Sequence, residues 1–173
     1  GKVLAEWIRD RRMPVDLVDV DVRRMHPFQS TSAYLRDRTT ETLGLLYAMH
    51  WPHRQYATAR GARHSPFHDR LLAMGAVMGE AAGWERPNWF APEGVAAEYR
   101  YSWGRQNWFD HTAAECRAVR DAVALFDQSS FAKFLVEGAD ACAVLNRVSV
   151  AEIDVPAGRV VYTQWCNEAG GIE

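Results

Sequence analysis

The sequence has no uncharged run close to the roughly 20 apolar residues that a membrane-spanning helix needs, and its start does not resemble a signal peptide. Nor is it basic, because 20 lysines and arginines stand against 22 aspartates and glutamates, a formal net charge of −2. That balance argues against a nucleic-acid surface, although arginines are frequent in residues 1–70. A soluble, cytoplasmic-type protein is therefore expected, with 173 residues giving one domain or a small domain plus part of another.

Cysteine is scarce and dispersed. The cysteines are Cys116, Cys142 and Cys166. An odd number at such spacing fits neither a disulfide framework nor a paired-cysteine zinc site, so reduced thiols in the core are expected. His50 and His53 are the closest pair of histidines, and Pro52 between them argues against the helix that would place both on one metal-binding face. No metal is expected.

Internal repeats, low-complexity linkers and the GxGxxG fingerprint of a dinucleotide site are also missing. What is present in the first half is helical patterning. "GKVLAEWIRDRRMPVDL" places Val3, Leu4, Trp7 and Ile8 on one face, and residues 30–49 predict a second helix. In "SPFHDRLLAMGAVMG", Ser65 can cap a helix that starts at Pro66. "GWERPNWFAPEG" then predicts an irregular, packed connection.

The second half mixes helices and strands. Thr112 and Glu115 form a capping box at the start of "TAAECRAVRDAVALF", and a short helix is predicted to begin near Asp140. "FAKFLVEG" from Phe131 and "GRVVYTQWC" from Gly158 alternate as strands. Strands and helices without a regular βαβ rhythm indicate an α+β fold.

The last residues predict a hairpin. "NEAGG" is a plausible turn whose glycines permit positive φ, and Ile172 would begin the partner strand. An unpaired strand edge is an aggregation hazard, and the first helix starts at residue 1 without a cap. Both features predict that the chain is a piece of a longer protein.

Several polar and aromatic residues have plain structural explanations. Glu85 and Arg86 are expected in a partly buried ion pair that links domains. Asp110 and His111 could form a catalytic dyad, but cap and surface roles are favoured because they have no identifiable nucleophile. The tryptophans expected to fill core or interface space are Trp89, Trp103 and Trp108.

The stretch from "AAECRAVRDAVALFDQ" to "GRVVYTQWCNEAGGIE" resembles the start of the folate-binding domain of the glycine-cleavage T-protein, an aminomethyltransferase. "GWERPNWF" and "YSWGRQNWF" resemble more specifically the dimethylglycine and sarcosine dehydrogenase group. In that group a T-protein-like half follows a flavin-dependent amine oxidoreductase half. The resemblance implies the end of a flavin domain in residues 1–20, a central linking domain in 21–95, and the truncated start of the T-protein-like domain in 96–173.

The resemblance also implies chemistry. The parent enzyme would oxidise an N-methyl amine such as dimethylglycine or sarcosine with FAD and pass the one-carbon unit to tetrahydrofolate. Tyr162 and Phe131 align with residues that line the folate pocket, although either could simply be core. Gly1 could be the remnant of a glycine step near the flavin, or a mere helix start. The family's key aspartate would lie two residues beyond Glu173, so no catalytic residue is predicted within the chain.

The partners implied are a small methylated amine and the missing N- and C-terminal parts of the same enzyme, and the chain alone is expected to be inactive. An alternative from another class is a T-protein-like scaffold or interaction module that does not bind folate. An aspartate soon after "GGIE" in the continuing sequence would favour the enzyme.

Overall fold

The structure is a computed structural model that describes residues 1–15, 17 and 21–172, without the side chain of Arg23. It divides into two compact units, Gly1–Ser130 and Phe131–Glu173. The α-helices of the described residues are α1 (Lys2–Asp10), α2 (Ser32–Leu45), α3 (His68–Ala73), α4 (Phe109–Asp121) and α5 (Ala141–Val148). A two-stranded sheet consists of β1 (Ala76–Ala81) and β2 (Trp84–Phe90), and short 3₁₀ helices span Val22–Arg24 and Pro27–Ser30. The predicted mixture of helices and strands is confirmed; the predicted boundary after residue 20 falls outside the described residues.

The two predicted amino-terminal helices are confirmed. α1 starts next to Gly1 and stops at Asp10, where Arg11 turns into the left-handed region at φ 54°. Its apolar side chains Leu4 and Ile8 remain exposed. α2 is capped by Thr31, whose hydroxyl accepts the Tyr34 amide at 3.3 Å.

The predicted helix over residues 65–79 is wrong in its second half. Ser65 does accept the Phe67 amide at 3.1 Å, but α3 ends at Ala73 and the chain continues as β1. Gly75 marks the change, because it has a φ of 85° and a Cβ there would lie 2.3 Å from the Ala91 carbonyl oxygen. Only glycine fits that approach, which pairs the start of β1 with the end of β2.

The predicted irregular connection "GWERPNWFAPEG" instead forms β2. Ala82 and Gly83, with φ of 51° and 82°, make the two-residue turn that joins the antiparallel strands. The register shifts once, between Val77 and Met78. Such a bulge accommodates Pro87, which has no amide hydrogen for the ladder.

The core of the first unit lies on one face of this hairpin. Trp89 is completely buried and packs with Val77 and Ala91, and Tyr99 and Trp108 cover the cluster. The predicted core roles of Trp89 and Trp108 are thus confirmed. Trp103 is 66% exposed and contacts the Trp51 ring at 5.6 Å between centroids, so it does not fill the core. The alternative, a place at a domain interface, stays a prediction.

The predicted capping box of α4 is also wrong. The helix begins at Phe109, three residues before Thr112, whose buried hydroxyl has no hydrogen-bond partner. Glu115 accepts the Phe90 amide of β2 at 3.0 Å instead. Because the Glu115 side chain bonds to the sheet, it ties α4 to β2 rather than capping its own helix.

The His111 ring stacks on the Trp89 ring with 5.5 Å between centroids. This contact with the core agrees with the structural role favoured for His111 over a catalytic one.

In the second unit α5 begins after Asp140, as predicted. The strands predicted from Phe131 and from Gly158 are not formed, because no adjacent strand of the described residues supplies a hydrogen-bonded ladder. Pairing is limited to single bridges, Ser149 with Trp165 and Cys166 with Ile172. The second bridge closes the predicted "NEAGG" turn, so that hairpin loop is confirmed.

The three cysteines form no disulfide bond with one another, and Cys116 and Cys142 are exposed, so their predicted place in the core is wrong. Among the described residues, no cluster of three or more histidine, cysteine or acidic side chains is arranged to hold a metal ion. Within the same part of the chain, every helix is too short or too polar to cross a bilayer.

Candidate functional site

The two predicted folate-contacting residues lie on the surface of the second unit. Tyr162 is 88% exposed and Phe131 is 54% exposed. Neither belongs to the walls of the two cavities described below. The described residues therefore present two accessible aromatic rings, without an enclosed slot around either.

Local hydrogen bonds hold the chain immediately after Tyr162. Thr163 accepts the Ala151 amide through its hydroxyl at 3.0 Å, and the Val150 amide donates to the Gln164 carbonyl at 3.1 Å. These bonds tie residues 163–166 to the turn that follows α5. Tyr162 stands immediately before this anchored stretch, so its ring is presented to solvent from a fixed base.

The predicted flavin-proximal residue, Gly1, is exposed at the start of α1. Its carbonyl accepts the Ala5 amide at 3.0 Å, an ordinary first helical bond. A Cβ at Gly1 would meet no atom within 4 Å, so nothing in the described residues crowds it. The geometry at Gly1 is that of a plain helix start.

A cavity of about 780 Å³ lies in the first unit, between the 3₁₀ helices, α2 and the end of the β1 strand. Its wall combines apolar side chains such as Leu35 and Leu43 with the rings of Tyr34 and Tyr56. A smaller cavity of about 340 Å³ lies at the carboxyl end of α2, beside Trp51. Volumes of this size suit small organic molecules.

Arg38 and Glu80 lie in the wall of the larger cavity as a buried ion pair. Arg38 Nη2 donates to Glu80 Oε2 at 2.6 Å, and each side chain is only 10% exposed. The same nitrogen donates to the Thr58 carbonyl at 2.7 Å, and the guanidinium lies over the Tyr56 ring at 4.2 Å. The two charges thus neutralise each other. Arg38 Nε is buried and has no hydrogen-bond partner.

A second buried pair joins Arg60 to Glu85. Arg60 Nε donates to Glu85 Oε1 at 2.8 Å, and Nη2 donates to the other carboxylate oxygen. The Gly61 amide adds a further bond to Oε1 at 2.8 Å. Glu85 is 7% exposed and does form an ion pair, but with Arg60. The predicted pairing of Glu85 with Arg86 stays a prediction.

The protonation of these groups follows from their contacts. Burial acts to raise the pKa of Glu85, but the bonds from Arg60 and Gly61 outweigh it and hold the pKa below its ordinary value. The Glu85 hydrogen bond raises the pKa of Arg60. Burial also acts to raise the pKa of Glu41. The hydrogen bonds from Thr58 and the Ala57 amide outweigh that effect, so the pKa of Glu41 is lowered. Carboxylates kept ionised in this way are poor general acids at neutral pH.

Tyr99 is a further group of the first unit whose pKa is shifted. Burial raises the pKa of its phenol, which accepts a bond from Asn88 at 3.0 Å and donates to the Met78 carbonyl at 3.1 Å. A phenol held protonated between these partners fixes the hairpin.

The sequence patterns did not predict a role for Arg38, Glu80 or Arg60. The unusual number of arginines before residue 65 was the one signal that could have indicated these ion pairs.

Two protein families match consecutive segments of the chain. Residues 12–65 match the FAD dependent oxidoreductase central domain, and residues 67–173 match the GCVT N-terminal domain. The change from one family to the next therefore falls inside the first compact unit, next to Ser65.

Several curated relatives span the whole chain, including the following three. It is 47% identical over 173 residues to 4-methylaminobutanoate oxidase (formaldehyde-forming) of Paenarthrobacter nicotinovorans, covering 100% of this chain and 21% of that protein. It is 35% identical over 178 residues to the mitochondrial pyruvate dehydrogenase phosphatase regulatory subunit of Mus musculus, covering 100% and 20%. It is 32% identical over 198 residues to mitochondrial sarcosine dehydrogenase of Mus musculus, covering 100% and 22%. The chain thus spans about a fifth of the length of these relatives.

Proposed function

The chain belongs to the family of the GCVT N-terminal domain, here preceded by an FAD dependent oxidoreductase central domain, and from this premise we propose that it is an interior part of a demethylating flavoenzyme. The whole enzyme would oxidise an N-methyl amine to an iminium by removing a hydride. The one-carbon unit would then be captured on tetrahydrofolate. On this proposal the 173 residues alone do not turn over substrate.

The observation that carries the proposal is the order of the two family segments in one chain. A flavin-linked central domain leads directly into a T-protein-type domain, with one residue between the two matches. On this proposal, such an order joins amine oxidation to one-carbon transfer. We propose the finer division as residues 1–20, the end of the flavin domain, 21–95, the linking domain, and 96–173, the start of the folate domain.

The substrate class follows from the names of two relatives. 4-Methylaminobutanoate and sarcosine both carry an N-methyl amine and a carboxylate. We propose a substrate of this class for the whole enzyme, with dimethylglycine as a further member. The groups that select among such amines are proposed to lie in the flavin half.

The described residues do not form an FAD site. The glycine-rich fingerprint is missing, and Gly1 offers an exposed helix start without a cradle around it. FAD, which accepts the hydride when bound, is therefore assigned to the part of the enzyme that precedes this chain.

The fit to tetrahydrofolate is partial. Tyr162 and Phe131 supply exposed ring faces on which a pterin can stack. Tetrahydrofolate supplies the nitrogen that accepts the one-carbon unit. We propose that both rings orient the pterin, and that the carboxylate which steers protons lies beyond Glu173.

The experiment that tests the proposal measures the products of the whole enzyme. The polypeptide containing the flavin half, this chain and the complete carboxyl-terminal half is given sarcosine, dimethylglycine or 4-methylaminobutanoate, with and without tetrahydrofolate. The proposal expects amine oxidation in both cases and replacement of free formaldehyde by methylenetetrahydrofolate when folate is present. Oxidation with unchanged formaldehyde release would remove the folate step, and no oxidation of any methylated amine would remove the enzyme assignment.

A second candidate is a T-protein-like regulatory module. It is favoured by the relative named as a phosphatase regulatory subunit, which covers the whole of this chain at 35% identity. This candidate predicts a full-length protein that folds but neither oxidises methylated amines nor binds folate.

A cytoplasmic location is part of our proposal. Cell fractionation would distinguish it from the mitochondrial location given in the names of the mouse relatives.

A further inference from the structure

The hairpin β1–β2 buries two acidic side chains, and each is paired by an arginine from an earlier segment of the chain. Glu80 pairs with Arg38 and Glu85 pairs with Arg60. The hairpin belongs to the segment matching the GCVT N-terminal domain, and both arginines belong to the segment matching the FAD dependent oxidoreductase central domain. The charges of one family segment are therefore neutralised by the other.

Backbone bonds reinforce the same contact. The Arg63 amide donates to the Gly83 carbonyl, and the Glu85 amide donates to the Arg63 carbonyl, both at 2.9 Å. Arg63 thereby extends the sheet as a single parallel bridge beside Trp84. In addition, the Glu80 amide donates to the Gln55 side chain at 3.1 Å. Residues 55–63 thus engage both the side chains and the exposed edge of the hairpin.

The pairing leaves each segment dependent on the other. A buried carboxylate that loses its arginine is strongly unfavourable, and so is a buried guanidinium that loses its carboxylate. Arg38 reaches both Glu80 and the Thr58 carbonyl, and Arg60 reaches both Glu85 and the Met78 carbonyl at 3.2 Å. Each arginine therefore makes more than one hydrogen bond where the two segments meet.

We propose that residues 26–64, which we call the arginine segment, are the docking surface for the β1–β2 hairpin, and that recognition of Glu80 and Glu85 makes the two family segments one cooperative folding unit. The occupant of the surface is the hairpin of the same chain. The role assigned to the arginine segment is to hold the amino-terminal hairpin of the GCVT domain in place. This inference goes beyond the enzymatic proposal and stands whether or not the whole protein binds FAD or folate.

The test is hydrogen exchange of the complete 173-residue chain, read amide by amide. Arg60→Lys keeps the charge but loses the two-pronged geometry, and Glu85→Gln removes the charge. The matched control is Glu98→Gln, because Glu98 pairs with Arg100 at 2.7 Å in an exposed position, with side chains 52% and 71% exposed. The reporting amides are chosen away from the substitutions: Ala91, which donates to Gly75, and Thr58, which donates to Glu41.

The proposal expects reciprocal effects. Arg60→Lys should speed exchange at Ala91 in the hairpin, and Glu85→Gln should speed exchange at Thr58 in the arginine segment, each by about tenfold or more. Glu98→Gln should leave both amides unchanged. Should Glu85→Gln fail to fold, Glu85→Asp, which keeps the charge and shortens the side chain, gives the same comparison. Faster exchange confined to the amides next to each substituted residue, with Ala91 and Thr58 unchanged, would overturn the proposal.

Discussion

Gly83 lies directly against the ring of Phe28. A Cβ built on Gly83 would stand 2.4 Å from Phe28 Cζ and 2.8 Å from Cε1. The same ring has two further contacts: the Arg63 guanidinium lies 5.5 Å from its centroid, and Tyr34 contacts it edge-on at 5.5 Å. The tip of the hairpin is therefore fitted against the arginine segment by shape as well as by charge.

Gly83→Ala tests that fit. The substitution places a methyl group into the Phe28 ring at a φ of 82°, so we expect a loss of about 2–4 kcal/mol in the free energy of unfolding. Gly94→Ala is the control, because Gly94 has a similar φ of 80° and no atom within 4 Å. Chemical denaturation should show a loss of only about 1 kcal/mol there. Equal losses at the two glycines would contradict the close fit.

The low pKa of Glu85 predicts a loss of stability in acid. Its folded pKa lies below the unfolded value of about 4.3, so its contribution is complete above that value and disappears as the pH falls through the folded pKa. Unfolding free energies measured from pH 6 down to pH 3 should therefore fall less steeply in Glu85→Gln, which starts from a lower stability. Parallel curves for the two proteins would show that Glu85 does not cause the acid sensitivity.

The core depends on one tryptophan. Trp89 is completely buried, so Trp89→Ala should cost about 3–5 kcal/mol of unfolding free energy. Trp103→Ala is the matched substitution at an exposed position and should cost about 1 kcal/mol or less. Thermal or denaturant unfolding of both variants measures the difference. A similar cost at both positions would place the core elsewhere.

The structure and the sequence pattern predict opposite effects on stability when the Thr112 hydroxyl is removed. As a helix cap it would stabilise α4, but its hydroxyl is buried without a hydrogen-bond partner. Thr112→Val keeps the shape and removes that hydroxyl, so the chain should be unchanged or more stable by about 1 kcal/mol. A clear loss of stability in denaturant unfolding would restore the capping role.

Local signals predicted the elements whose causes are local. α2 begins where the Thr31 hydroxyl caps it, and the turn after Cys166 closes where Gly170 takes a φ of 80°. Those determinants lie within a few residues of each other, so sequence patterns reveal them.

The errors arose where distant residues decide the structure. "GWERPNWF" becomes a strand because Gly75 lets β1 approach Ala91, and Glu115 leaves its own helix to bond the Phe90 amide. The partner of Glu85 is 25 residues away at Arg60. The predicted folate contacts of Tyr162 and Phe131 rest on a resemblance alone, because exposed rings carry no packing signal of their own.

Calorimetric titration of tetrahydrofolate tests the central claim most directly. The titration uses this chain and a longer polypeptide that continues through the complete carboxyl-terminal half. We expect binding by the longer polypeptide only, weakened about 5- to 100-fold in Tyr162→Ala, as loss of a stacking ring predicts. Tyr47→Ala, at another strongly exposed tyrosine, should leave the affinity unchanged. Absence of binding by the longer, folded polypeptide would contradict the folate assignment and favour the regulatory module.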